Sequence, residues 1–165
     1  MGFFSRLFGT RPAPSMGEET SPPPIIDIPL DADDDTLDAN TLSAVLAEID
    51  IESAIEAHLA WRQRLLDYVD GKSSEDLRPE MVCLDYRCQL GQWLNGPGGQ
   101  RLGHYPAFSI LVSRHRYFHE QAAAVVGLSR EGKPEQARQT LSGSYRYASS
   151  QVVLLLKELK RGLNR

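Results

Sequence analysis

Apolar residues recur at steps of three and four positions through most of this chain, and glycines and prolines divide the pattern into four segments. That spacing is typical of amphipathic α-helices, whereas a half-buried strand alternates at every second position. The first segment places the following residues on one stripe: Ile51, Ala54, Ile55, His58, Leu59, Arg62, Leu65, Leu66 and Val69. No convincing strand pattern appears, so the sequence predicts an all-α fold.

Helix start and stop signals set the bounds of these segments. We expect the first helix to start after Asp50, as its N-cap, and to stop at Gly71. The second is predicted to run from Pro79 to about Leu94, with Met81, Leu84, Cys88 and Gly91 facing inward. The third follows from Pro106 to Gly132, and the fourth from Pro134 to about Gly162. Four such helices with short connections predict an up-down four-helix bundle over residues 41–163.

Residues 1–40 differ in composition from the rest of the chain. They hold eight acids and two bases (2 − 8 = −6) and six of the ten prolines, whereas residues 41–165 hold sixteen bases and fourteen acids, a net +2. We therefore predict a disordered, acidic, proline-rich N-terminal tail. The nearly neutral body argues against nucleic-acid binding, and no apolar run is long enough for a transmembrane helix.

A Phe-rich peptide occupies residues 2–9 of this tail, with Phe3, Phe4, Leu7 and Phe8 at helical spacing. One interpretation is an amphipathic peptide that docks weakly on a membrane surface or in a partner's groove. The other is a frayed terminus whose aromatic residues have no role. We expect a cytoplasmic protein, and the first interpretation would place it at the inner membrane.

Three histidines and a cysteine fall on otherwise apolar helix faces: His58, His115 and His119, and Cys88. Taken singly, such residues are more often core side chains than ligands. Taken together in one small bundle they need a common partner, because unsatisfied buried polar groups are costly. Three imidazoles and one thiolate suit tetrahedral Zn²⁺. Four protein ligands leave no position for an activated water, so we expect a binding protein and not an enzyme.

The residues around these four have more than one interpretation. Asp85 is either an exposed carboxylate or the group that orients a ligand histidine, and Gly91 is expected to let another helix approach. Trp61 and Trp93 are expected in the core or a dimer interface. We interpret His104 as a surface histidine, with a fifth, exchangeable ligand as the alternative, and Cys83 as a packed or exposed thiol.

Three stretches resemble the signature of the chemoreceptor zinc-binding domain. They are Ala57-His58-Leu59-Ala60-Trp61, then Asp85-Tyr86-Arg87-Cys88-Gln89-Leu90-Gly91-Gln92-Trp93, and His115-Arg116-Tyr117-Phe118-His119. The resemblance covers roughly residues 45–160. It implies a four-helix bundle, often dimeric, that binds one Zn²⁺ through His58, Cys88, His115 and His119.

The resemblance also implies a regulatory role. Domains of this family usually act on a chemotaxis receptor's signalling region or a diguanylate cyclase, in response to zinc availability or oxidation of the ligand thiolate. We therefore predict a bacterial sensory module that forms a homodimer and in which Cys88 is the redox-sensitive residue. No such output is attached here, so we expect a signalling partner in trans. The alternatives are an adaptor with structural zinc that acts through residues 2–9, and a metalloenzyme with an open site.

Overall fold

The computed structural model describes Ala44 and residues 49–162, and every regular element in that part of the chain is helical. The helices are α1 (Ile51–Val69), α2 (Pro79–Val82), α3 (Gln89–Asn95), α4 (Pro97–Leu102), α5 (Pro106–Arg130), α6 (Pro134–Ser142) and α7 (Ser144–Gly162), with a 3₁₀ turn at Asp85–Arg87. The all-α prediction is confirmed for these residues. The predicted tail, including residues 2–9, lies outside them. In the described part, no helix is long and apolar enough to cross a membrane.

The ends of α1 and α5 follow the signals in the sequence. Asp50 caps α1, because its carboxylate accepts a hydrogen bond from the Ser53 backbone N–H at 3.1 Å. Gly71 and Gly132 follow the two helices with φ of +70° and +72°. That left-handed conformation favours glycine, which has no Cβ to clash with the backbone. Both stops are therefore set by local backbone chemistry.

The longest helix, α5, packs against α1, α2, α6 and α7, and α1 also packs against α6 and α7. Large apolar side chains of α1, α5 and α7 are fully buried, among them Leu65, Phe118, Val125, Val126, Val152 and Leu156. Each contributes about 1.5–3 kcal/mol by leaving water. The core therefore forms around α5, the helix that also carries two of the predicted ligand residues.

The prediction of one continuous second helix is wrong. Residues 79–95 form α2, the 3₁₀ turn and α3, because Leu84 has a non-helical backbone (ψ 86°) and Cys88 is extended (ψ 159°). The inward face changes as a result: Met81 is 42% exposed, whereas Val82 and Leu90 are buried. No glycine or proline lies between Leu84 and Cys88 to indicate this break.

Two further departures concern helix continuity. The predicted fourth helix is divided into α6 and α7 at Gly143, where φ is −101° and ψ is −103°. The glycine-rich connection after Asn95 contains the short helix α4, which begins with Pro97 at its first position. Proline is well suited there, because the first helical N–H has no intrahelical partner.

Gly91 allows the 3₁₀ turn to lie against α3. The sequence had suggested that this glycine would instead let a separate helix approach. A Cβ at this position would lie 1.8 Å from the Asp85 carbonyl oxygen. We expect Gly91→Ala to lower the free energy of unfolding by about 3 kcal/mol, since the turn backbone would have to move. Urea denaturation of the two proteins measures this difference.

Gly127 provides the matched control for that substitution. It lies within α5, and a Cβ there would approach only the Pro79 Cγ, at 3.7 Å. Gly127→Ala is therefore expected to preserve or raise stability, because alanine has the higher helix propensity. Equal effects at the two positions would contradict the steric explanation.

Candidate metal centre

The structure brings together all four residues predicted as ligands, from three separate segments of the chain. His58 lies on α1, Cys88 at the start of α3, and His115 and His119 one turn apart on α5. One potential ligand atom from each residue lies within 4.8 Å of every other. The three histidines are buried, and Cys88 is half-buried.

Backbone carbonyls fix the orientation of two imidazoles. His58 Nδ1 lies 2.6 Å from the Ala54 carbonyl oxygen, one turn earlier on α1. His119 Nδ1 lies 2.8 Å from the Val82 carbonyl oxygen, at the end of α2. In each pair the ring N–H donates to the carbonyl, which leaves Nε2 unprotonated and available to a metal. His119 Nε2 is buried and has no hydrogen-bond partner in the described structure.

His115 links the thiol to a carboxylate. Its Nε2 lies 3.2 Å from Cys88 Sγ, and its Nδ1, which makes no hydrogen bond in the described part of the chain, lies 4.0 Å from Asp85 Oδ2. A small movement would give the carboxylate–histidine pair that commonly orients a metal ligand. The interpretation of Asp85 as a ligand-orienting group stays a prediction.

Cys88 is the N-cap residue of α3, not an inner residue of a longer helix. Its Sγ accepts a hydrogen bond from the Gly91 backbone N–H at 3.2 Å. Burial raises the pKa of this thiol, and the Gly91 N–H opposes that rise. A metal ion supplies the positive charge that favours the thiolate in such surroundings.

Aromatic side chains enclose the histidines on α1 and α5. The Phe118 ring is fully buried and lies 4.9 Å from the His58 ring and 5.2 Å from the Tyr145 ring, between centroids. Burial lowers the pKa of His58 and His119, and burial together with the neighbouring histidines lowers the pKa of His115 to about 2. All three imidazoles are therefore neutral at pH 7, the form that binds metals.

These donors fit a zinc ion. Zinc–nitrogen bonds of about 2.0–2.1 Å and zinc–sulfur bonds of about 2.3 Å place tetrahedral donors about 3.3–3.6 Å apart. The Cys88 Sγ–His115 Nε2 distance of 3.2 Å is close to that spacing, and the full group spans 4.8 Å or less. The unpartnered His119 Nε2 also needs a partner that the described residues do not provide. The group is accordingly suited to bind Zn²⁺ through three nitrogens and one sulfur.

The buried histidines predict acid sensitivity of the metal-free protein. Below about pH 6.5 the unfolded chain binds protons that the folded chain excludes, so the free energy of unfolding falls as the pH falls. Between pH 6.5 and 5, His115 alone lowers the free energy of unfolding by about 2 kcal/mol, since its pKa in the folded chain is about 2. The lowered pKa values of His58 and His119 act in the same direction.

Chemical denaturation with a chelator present, at pH 8, 6.5 and 5, measures this loss. His104→Gln is the control for the substitution of a histidine, because His104 is exposed and lies outside the donor group. Equal stability at the three pH values would contradict the buried, neutral state of the histidines.

The remaining candidates do not join the donor group in the described part of the chain. His104 is exposed and stacks near Tyr105, with ring centroids 4.1 Å apart. Cys83 is half-buried, and its Sγ lies 3.4 Å from the Glu80 carbonyl oxygen. Trp93 is buried against Phe108, whereas Trp61 is half-buried and stacks with Arg64. Neither His104 nor Cys83 belongs to the metal-binding group identified among the described residues.

Sequence reasoning missed the backbone groups that complete this centre. The Ala54 carbonyl lies four residues before His58, so helical periodicity could have identified it. The Val82 carbonyl lies 37 residues from His119, and its position depends on tertiary packing. The capping role of Cys88 has one weak local sign: Gly91, three residues later, has the spacing at which a side-chain cap meets a backbone N–H.

Comparison with known proteins agrees with this geometry. Residues 58–126 match the family model of the chemoreceptor zinc-binding domain, a range that begins at His58 and contains all four donors. No curated protein and no solved structure matches the chain.

Proposed function

Because the chain carries a chemoreceptor zinc-binding domain over residues 58–126, we propose that it is a regulatory module that binds one Zn²⁺ and responds to zinc availability or to thiol oxidation. One observation carries this proposal: four donor atoms from three segments lie within 4.8 Å of one another. Their occupation by a metal would join α1, α3 and α5. Binding energy at such a site also stabilises the arrangement of the segments that it joins.

The donor set supports sensing over catalysis. Zinc bound there would hold the thiolate, and His58, Cys88, His115 and His119 would fill the four positions of a tetrahedral site. We therefore propose a non-catalytic role. Cys88 is the redox-sensitive member, because it supplies the one thiol of the group and is half-buried, so that oxidants can reach it.

The proposed output is a change in helix packing that a partner detects. The four longest helices (α1, α5, α6 and α7) pack against one another, and we infer that they work as a four-helix bundle whose packing depends on Cys88. A homodimer, and a bacterial signalling partner of the chemoreceptor or diguanylate cyclase type, complete this proposal. Its place of action would be the cytoplasm, with residues 2–9 as the segment that contacts a partner or the inner membrane.

Oxidation should release zinc through Cys88. The thiolate sulfur attacks one oxygen of hydrogen peroxide, the O–O bond breaks, and hydroxide leaves, which gives a sulfenic acid that is a poorer ligand. We expect peroxide to release most of the zinc from the full chain, as measured with a colorimetric zinc indicator, and a reductant to restore binding. Cys83→Ser should behave as the unaltered chain does.

Deletion of residues 1–35 separates this proposal from an adaptor with structural zinc. Zinc release by peroxide should persist in the shortened chain if the module senses through the helical body. Loss of partner binding on deletion, with zinc that peroxide does not release, would instead favour the adaptor.

A further inference from the structure

A cleft of about 510 Å³ opens beside the metal centre, within the range of small-molecule sites. Its walls come from α1, from the loop before α2, and from α2 and the 3₁₀ turn. Of the four donor residues, Cys88 and His119 line it, and His58 and His115 do not. The cleft is thus a route by which a small molecule can reach the sulfur donor.

Positive charge predominates around this cleft. Arg64, Arg78 and Arg87 line it, with Asp76 as the one carboxylate among the lining residues. Asp76 is shared, because it contacts Arg78 at 3.0 Å and Arg130 at 2.8 Å.

Carboxylates beside the lining residues do not reverse this excess of positive charge. Arg64 forms an ion pair with Glu75, outside the lining. The Asp85 carboxylate also acts on Cys88 and His119, the two donor residues that line the cleft. Four guanidinium groups (those of Arg64, Arg78, Arg87 and Arg130) and three carboxylates (those of Asp76, Glu75 and Asp85) therefore leave an excess of one positive charge.

Arg87 is the arginine whose charge is least compensated. In the described part of the chain its guanidinium contacts the Met81 sulfur, at 3.6 Å, and no carboxylate. It is the last residue of the 3₁₀ turn and immediately precedes Cys88 in the chain. A guanidinium offers planar hydrogen-bond donors that match carboxylates and other oxyanions.

Apolar surface accompanies these charges. The Arg64 guanidinium lies 4.3 Å from the centre of the Trp61 ring, and Met81, Leu77 and Leu84 also line the cleft. An inorganic ion would leave that surface unused. A small organic molecule with an anionic group matches both the arginines and the apolar wall.

We propose that this arginine-lined cleft binds small organic anions and admits them to the metal centre, with Arg78 and Arg87 selecting anionic over cationic reagents at Cys88. The inference rests on the proposed function, because it assigns a ligand class to the entrance of the same centre. It adds a chemical preference: anionic thiol reagents should reach Cys88 faster than cationic ones of similar size.

Two methanethiosulfonates of similar size and opposite charge test this preference on the zinc-loaded full chain. Cys83→Ser leaves Cys88 as the remaining thiol, since the sequence has two cysteines. In the reaction the Cys88 thiolate attacks the sulfenyl sulfur, a disulfide forms, and methanesulfinate leaves with the electrons of the broken S–S bond. The rates of the sulfonatoethyl and trimethylammonioethyl reagents are each divided by the rate of that reagent with 2-mercaptoethanol, which removes their intrinsic difference.

We expect the normalised anion-to-cation ratio to be about ten at low salt, and to approach one at high salt. Arg78→Gln and Arg87→Gln should each lower it at least about threefold, by removing one of the steering charges. Arg146→Gln is the matched control, because Arg146 is exposed on α7 and does not line the cleft. A neutral methyl reagent measures how much burial and bound metal slow the thiol.

A ratio near one in the Cys83→Ser chain would overturn the inference, as would equal effects of Arg87→Gln and Arg146→Gln. Native mass spectrometry of the same samples reports the zinc content independently. A chain that binds zinc but has a ratio of one contradicts the selective entrance alone. A chain that keeps the ratio without binding zinc contradicts the proposed function alone.

Discussion

Metal analysis of the purified full chain is expected to find one zinc ion per chain, and Cys88→Ala or His119→Ala should lower the zinc affinity more than a hundredfold. Structural zinc sites release about 10–16 kcal/mol in all, so one ligand of four accounts for about 3 kcal/mol. His119 Nε2 is buried without a partner among the described residues, and Cys88 Sγ lies 3.2 Å from the next donor. Competition with a chelator of known affinity measures the change.

Two substitutions outside the group provide controls for that measurement. Cys83→Ala removes a thiol that contacts the Glu80 carbonyl, and His104→Ala removes an exposed imidazole. Both proteins should keep one zinc ion with unchanged affinity. The assignment would be wrong if the unaltered chain carried no zinc, or if either ligand variant kept full occupancy.

The helical architecture could be predicted because it depends on interactions between residues that are close in the sequence. Asp50 caps α1 through a contact three residues away, and Gly71 ends the same region with a positive φ. His115 and His119 share a face because helical spacing places them there. Each of these features depends on neighbours in sequence.

The region around Cys88 could not be predicted in the same way. Its apolar spacing suggested one helix, whereas Leu84 and Cys88 leave the helical conformation without a glycine or proline between them. The turn lies closely against α3, where Gly91 leaves room for the Asp85 carbonyl, and it also contacts α5, which is distant in sequence. The inner position assigned to Met81, which is exposed, was wrong for this reason.

The donor group itself was predicted despite that error. Residue types suitable for zinc, and the resemblance of their motifs to a zinc-binding family, identified His58, Cys88, His115 and His119 without the correct backbone for residues 84–88. The charged cleft was not predicted, because Arg64, Arg78 and Arg87 belong to three separate segments. Only packing brings their side chains to one opening.

Zinc should stabilise the folded chain by about 4 kcal/mol when its free concentration is about a thousand times the dissociation constant. For a helical body of this size, that corresponds to a rise in melting temperature of about 15 °C. The physical reason is local: a metal gives His119 Nε2 the partner that the described residues do not supply, and it joins segments that are up to 61 residues apart, from His58 to His119. Differential scanning calorimetry with zinc and with excess chelator measures the shift.

His119→Ala separates binding at this centre from general effects of the metal. The variant loses one donor and should show less than a third of the zinc-induced shift, whereas His104→Ala should show all of it. A shift of the same size in His119→Ala would mean that zinc stabilises the chain from another place. If zinc raises the melting temperature of the unaltered chain but not that of the variant, the stability of α1, α3 and α5 depends on one shared metal.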